Sequence, residues 1–162
     1  MKTIIIFIKY DMEDTKALFS TEDWFNKLQD NGYRLTETRR AVVETMANSD
    51  RVLDPTQIFD LARERCASLG LVTVYRTLAK LEELSLIQRV HQSDGCHAYF
   101  PAVEGHQHMV ICQDCGRVEY FMGDALDNLM DRVSQESGYL IHDHWLQLFG
   151  VCACCQKSSD EN

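Results

Sequence analysis

TVYRTLAKLEELS, residues Thr73 to Ser85, is the stretch on which the fold turns. Its apolar residues Val74, Leu78, Leu81 and Leu84 recur at helical spacing, which predicts one face packed against other elements. Arg76 and Lys80 project from the opposite face, Tyr75 lies on its shoulder, and Thr73 and Thr77 stand near the N-terminal end. A helix that enters the major groove of duplex DNA needs this layout: an apolar back and few acids at its leading end. Arginine can donate two hydrogen bonds to guanine, while lysine and tyrosine reach phosphate. On an isolated helix the same residues would make only a solvated charged face, so the surroundings decide.

Upstream, Thr21 is the expected N-cap of a helix with Glu22 and Asp23 in its first turn, ending at Gly32. Thr36 caps a second helix, ETRRAVVETMANS, and Asp54-Pro55 opens a third that runs to Arg65. Gly70 breaks that helix and Thr73 begins the fourth. Downstream, LIQRVHQSDGCHAYF reads as two strands around Ser93-Asp94-Gly95. Short helices followed by a hairpin predict a winged helix over residues 16–100, preceded by an extension over 1–15.

The apolar run Ile4–Ile8 is far too short to span a bilayer, and no small-residue cleavage site follows it. The expectation is a cytoplasmic protein with no membrane partner.

The second half has another character. HMVIC, RVEYF and YLIHDHWLQLFGVC read as strands, and DALDNLMDRVSQES as one amphipathic helix with Leu126, Leu129, Met130 and Val133 on its apolar side. The fold class expected is therefore α+β, a winged helix followed by a small α/β domain over 101–157, with a frayed tail at 158–162. The net charge of −9 divides unevenly between them. Lys16 to His91 holds 11 basic and 11 acidic residues, whereas Gln92 to Asn162 holds 3 and 11. Basic groups thus concentrate where a nucleic acid would bind and carboxylates where cations would.

Four of the seven cysteines form two C-x-x-C pairs, Cys112 with Cys115 and Cys152 with Cys155. Two such knuckles supply a closed tetrahedral four-thiolate site, the preference of structural zinc. Cys154 permits an alternative pairing, but only Cys152 with Cys155 preserves the spacing. Packed reduced cysteines or a disulfide-exchange pair are the competing readings. With four ligands the site would hold structure and perform no chemistry.

His106 and His108 alternate with Val110 and Cys112 on one side of a strand, and His142 and His144 alternate with Leu140 and Leu146. Imidazoles on an apolar face are costly unless hydrogen-bonded or metal-bound. With Glu119, Asp127 and Cys96-His97 nearby in sequence, these histidines predict a second, regulatory metal site. His91 and Glu104 are weaker candidates.

From Trp24 to Lys157 the chain resembles the ferric uptake regulator (Fur) superfamily. The matching pieces are LTETRRAVVETM, TVYRTLAKLEELSLIQRV, HQHMVICQDCGRV and GVCACC. The resemblance implies a winged-helix DNA-binding domain and a dimerisation domain with structural zinc on Cys112, Cys115, Cys152 and Cys155. It also implies a homodimer that represses at palindromic operator DNA when metal is bound, with Tyr75 and Arg76 contacting DNA. Cys96-His97, His106 and the run Met109 to Cys112 resemble the zinc uptake regulators, in which a cysteine near the wing enters the sensory site. A thiolate favours zinc over ferrous iron or manganese. Zinc would then draw Cys96 toward His106, His108 and an acidic partner, and the genes controlled would serve metal uptake. The chain departs from the commonest pattern in having two histidines before Cys112, and Tyr120, beside Glu119, where relatives carry an acidic ligand. An alternative alignment assembles His106, His108, Asp127 and His144.

The rival readings are an iron- or manganese-loaded regulator, including a peroxide sensor, and a zinc-ribbon interaction module without DNA binding. A zinc hydrolase lacks support, because no H-E-x-x-H helix or nucleophile elbow is present. No enzymatic role and no small-molecule substrate are expected.

Overall fold

The computed structural model describes residues 20–91, 97–102, 108–121, 126–142, 144 and 146–159. The expected extension over 1–15, the hairpin turn at Ser93-Asp94-Gly95, and Cys96, Glu104 and His106 lie outside these residues. The chain divides into two compact units on either side of residues 103 and 104.

Each helix of the N-terminal unit begins where local chemistry satisfies its first amides. Helix α1 (Thr21–Asp30) is capped by Ser20, whose side chain accepts from the Asp23 N–H while Asp23 answers to the Ser20 backbone. The cap is thus Ser20, not Thr21, because the reciprocal box needs an acid at the third helical position. Helix α2 (Glu37–Ala47) is capped by Thr36, and α3 (Pro55–Arg63) by Asp54, which accepts from Thr56 and Gln57. Caps of this kind contribute about 1 kcal/mol each. Helix α4 (Leu71–Glu83) starts two residues before Thr73, with Gly70 at its N-cap and no side-chain cap.

Trp24, Phe25 and Leu28 of α1, Val42, Val43 and Met46 of α2, and Ile58 and Ala62 of α3 meet Val74, Leu78 and Leu81 of α4 in one buried core. The wing follows as antiparallel strands β1 (Ile87–His91) and β2 (His97–Pro101), with Ile87 opposite Pro101 and His91 opposite His97. Leu53 extends this ladder through two backbone hydrogen bonds to Tyr99, at 3.0 and 2.8 Å. Arg89 of β1 reaches Glu82 of α4 at 2.7 Å and ties the wing to that helix.

The C-terminal unit is built on β3 (His108–Cys112), which pairs antiparallel with β4 (Val118–Phe121) and parallel with β5 (Gln147–Gly150). The order β4-β3-β5 leaves β5 at an edge. Helix α5 (Leu126–Ser137) precedes β5 and α6 (Ala153–Ser159) follows it. The strand expected across YLIHDHWLQLFGVC is confined to Gln147–Gly150. The tail expected to fray from 158 is helical through Ser159, because α6 grows directly out of the second cysteine pair. Among the described residues, no helix is long and apolar enough to cross a membrane.

Candidate metal centre and nucleic-acid interface

Parallel pairing of β3 with β5 places Cys112 in register with Gly150, so two cysteine pairs some forty residues apart in sequence meet at one sheet end. The first pair lies on a turn after β3. Gly116 closes it with φ of 73°, in the left-handed region that glycine enters without steric cost, and its N–H donates to the Cys112 carbonyl at 2.9 Å. The second pair brackets the start of α6, where the Gln156 N–H donates to the Cys152 carbonyl at 3.0 Å. Gln113 donates to Gly150 at 2.8 Å and locks the two turns together.

The four sulfurs lie within 4.8 Å of one another. Cys112 Sγ stands 3.9 Å from Cys155 Sγ, and Cys115 Sγ 3.8 Å from Cys152 Sγ. Thiolates at about 2.3 Å from a tetrahedral ion would stand about 3.8 Å apart, so the observed edges fit zinc. Ionisation is unequal across the cluster. Burial opposes ionisation of Cys112, but backbone N–H groups of Cys115, Cys152 and Asp114 hold its thiol down to about 6. Cys152 is lowered by the backbone and then the side chain of Cys155, and Cys155 is raised in turn because its own S–H donates to the Cys152 and Cys115 sulfurs. Thiolate therefore concentrates on the first members of the two knuckles. Cys154, which the spacing also offers to this set, points elsewhere, with its sulfur 3.8 Å from the Arg117 guanidinium.

At the other end of β3, roughly 13 Å away along the strand, His108 and His144 converge. Their Nε2 atoms are 3.3 Å apart and their ring centroids 5.0 Å, with the Phe121 ring 5.5 Å from His108. Two imidazole nitrogens on a tetrahedral zinc would stand about 3.3 Å apart, so this pair fits a shared cation as well as a hydrogen bond. His108 is buried, His144 half-buried and His142 exposed. Among the described residues, the four cysteines are the one converging group of three or more potential ligands. Glu119, opposite Val110 in the β3–β4 ladder, and Asp127 in the first turn of α5 do not join the histidine pair in this conformation.

On α4 the exposed face carries Tyr75 and Arg76, while Thr73 is half-buried. Lys80 is held on the flank: its Nζ is 2.7 Å from a Glu83 carboxylate oxygen and 5.0 Å from the Tyr33 ring, and both partners raise its pKa, Glu83 first. Thr77 corrects the sequence reading. It is fully buried beside Val74, Leu78 and Leu81, at a spacing that puts it on the packed face and not on the exposed one. Leu71 and Val72 are exposed at the leading end of α4, and among the described residues Val72 is the most exposed large apolar side chain of the N-terminal unit, at 63%. An apolar residue on the outward side of a helix that has its own core face is the signal that could have found it.

A winged helix in the same chain as a four-thiolate cluster defines a class, the metal-responsive DNA-binding regulators. The chain belongs to the ferric uptake regulator family, whose model matches residues 30–149. It is 31% identical over 139 residues to the ferric uptake regulation protein of Bacillus subtilis (strain 168), covering 83% of this chain and 93% of that protein. Among solved structures it is similar to a zinc-bound manganese uptake regulator, at TM-score 0.65 and 28% identity over 79% of this chain and 97% of that one. It also shares the fold of a zinc uptake regulator complexed with zinc and DNA, at TM-score 0.62 and 22% identity over 88% and 99% of the two chains.

Proposed function

We propose that this protein is a cytoplasmic repressor that binds operator DNA as a homodimer when a regulatory divalent cation, zinc by preference, occupies its C-terminal unit. The observation that carries this reading is the pair of unequal ligand sets at opposite ends of β3. Cys112, Cys115, Cys152 and Cys155 would fill a tetrahedral ion completely and hold the second cysteine turn to the sheet. His108 and His144 would leave an ion unsaturated, which suits an exchangeable signal. When bound there, a divalent cation supplies a charge that draws further donors toward the two imidazoles. His106 and Cys96, outside the described residues, are the candidates from sequence, and Glu119 and Asp127 the acidic ones.

The homodimer reading rests on apolar surface that the isolated chain leaves open. Helix α5 has no buried residue and exposes Leu129 and Val133, and the edge strand β5 exposes Leu148 and Phe149. Two copies would place two α4 helices on successive major-groove half-sites, which matches a palindromic operator. A coupling of about 1.4 kcal/mol between cation and DNA changes operator affinity tenfold, within the range of such linkages.

The test is a titration of operator binding against buffered free zinc, ferrous iron and manganese, with metals counted per chain. Expected are one zinc retained throughout and a second cation, zinc at the lowest free concentration, that switches on DNA binding. Operator binding that ignores the second cation would sink the proposal, and a response to iron or manganese alone would reassign the signal.

A further inference from the structure

The exposed face of α4 has an apolar midline. At about 100° per residue, Val72 marks its centre, with Ala79 about 20° to one side, Tyr75 about 60° to that same side and Arg76 about 40° to the other. The opposite side of the helix is closed by Val74, Thr77, Leu78 and Leu81, all buried. A side chain of Val72 size standing 63% exposed gains little from the fold. No acid occupies the first turn of α4, and Gly70 gives the helix no side-chain cap, so the leading end carries the partial positive charge of unpaired amides. That charge pattern suits a polyanion and not an apolar protein partner. Ala79, one further pair of turns along the same line, is small enough to let the helix axis approach base edges closely.

We infer that Val72 is a specificity-determining residue that packs against the 5-methyl group of a thymine on the major-groove floor, between the hydrogen-bonding side chains of Tyr75 and Arg76. In the major groove that methyl is the one apolar mark among the base edges, and short aliphatic side chains are its ordinary partners. The inference rests on the DNA-binding reading above.

The experiment selects duplexes from a randomised pool with the full-length chain in buffered zinc, repeated in ferrous iron and in manganese. Each thymine of the enriched site is then replaced in turn by uracil, which removes the methyl and leaves base pairing intact. One thymine per half-site should lose roughly fourfold in affinity on this change, the value of one buried methyl. Val72→Ala should bind the thymine and uracil duplexes equally, and Val72→Thr, which keeps one methyl, should restore part of the preference. Because Val72 is exposed, neither variant should alter the melting temperature. An enriched site at which no thymine-to-uracil change matters, or at which Val72→Ala keeps the full preference, overturns the inference and leaves the regulator reading standing. Enrichment of no sequence in any of the three metals overturns both.

Discussion

His108 on β3 and His144 ahead of β5 point their Nε2 atoms at one another across 3.3 Å, and His108 does so from a buried position. The pair joins one sheet strand to the segment that leads into another. Whatever binds between the two rings therefore acts on the geometry of the β3–β5 edge, the edge that also carries exposed Leu148 and Phe149.

His144→Ala should remove the second cation while leaving the four-cysteine zinc in place. Metal counting should fall by one ion per chain, and operator affinity in saturating zinc should drop roughly tenfold or more. His108→Ala should behave alike but also lower the melting temperature, since it empties a buried position. Unchanged operator affinity in His144→Ala would remove the pair from the switch.

The parts of this architecture that sequence revealed are those written in local chemistry. Thr36 and Asp54 can be read as caps because each is a capping side chain directly before a helical period, Asp54 with Pro55 after it. Ser20 stands beside Thr21, its equal in capping chemistry, and Gly70, expected to break the third helix, only opens the fourth, since the third ends at Arg63. The pairing of Cys112, Cys115, Cys152 and Cys155 was legible from spacing. What brings them together, the parallel register of β3 with β5, was not, because alternation reports the period of a strand and never its partner. The same limit applies to the histidines. Strand periodicity grouped His142 with His144, yet His142 is exposed and His144 meets His108.

Zinc removal should unmake the C-terminal unit. The unit has a small core, and the cysteine turns are joined mainly through their sulfurs and a few backbone bonds. Cys112→Ser or a strong chelator should abolish protection of residues 108–159 from proteolysis while the winged helix keeps its helical dichroism. Affinity should also fall with acidity. Cys155 holds its proton through the neutral range and Cys112 is ionised above about 6, so zinc must displace at least one proton. Competition with a chromophoric chelator should show zinc affinity falling roughly tenfold per unit or more as pH drops from 8 to 6. A pH-independent affinity over that window would mean the sulfurs are not the ligands.

Leu129 and Val133 stand one turn apart on α5, both exposed on a helix that buries nothing. Leu129→Glu combined with Val133→Glu should shift sedimentation from dimer to monomer and weaken operator binding at least tenfold, since each half-site would then be bound alone. The zinc count per chain should stay the same. A double variant that sediments as the parent does would place the dimer contact elsewhere.

Two buried threonines give a paired test of the corrected α4 face. Thr45 Oγ1 donates to the Ala41 carbonyl at 2.8 Å, whereas Thr77 Oγ1 is buried with no hydrogen-bond partner among the described residues. An unsatisfied buried hydroxyl is a cost that an isosteric methyl removes, while a satisfied one contributes about 1 kcal/mol. Thr77→Val should therefore leave the melting temperature unchanged or raise it, by up to about 1 kcal/mol of stability, and Thr45→Val should lower it by a similar amount. Operator affinity should be untouched in both, because neither side chain reaches the exposed face of its helix. Loss of operator affinity in Thr77→Val at full thermal stability would return Thr77 to the DNA-contacting set, and would require α4 to rotate about its axis on binding.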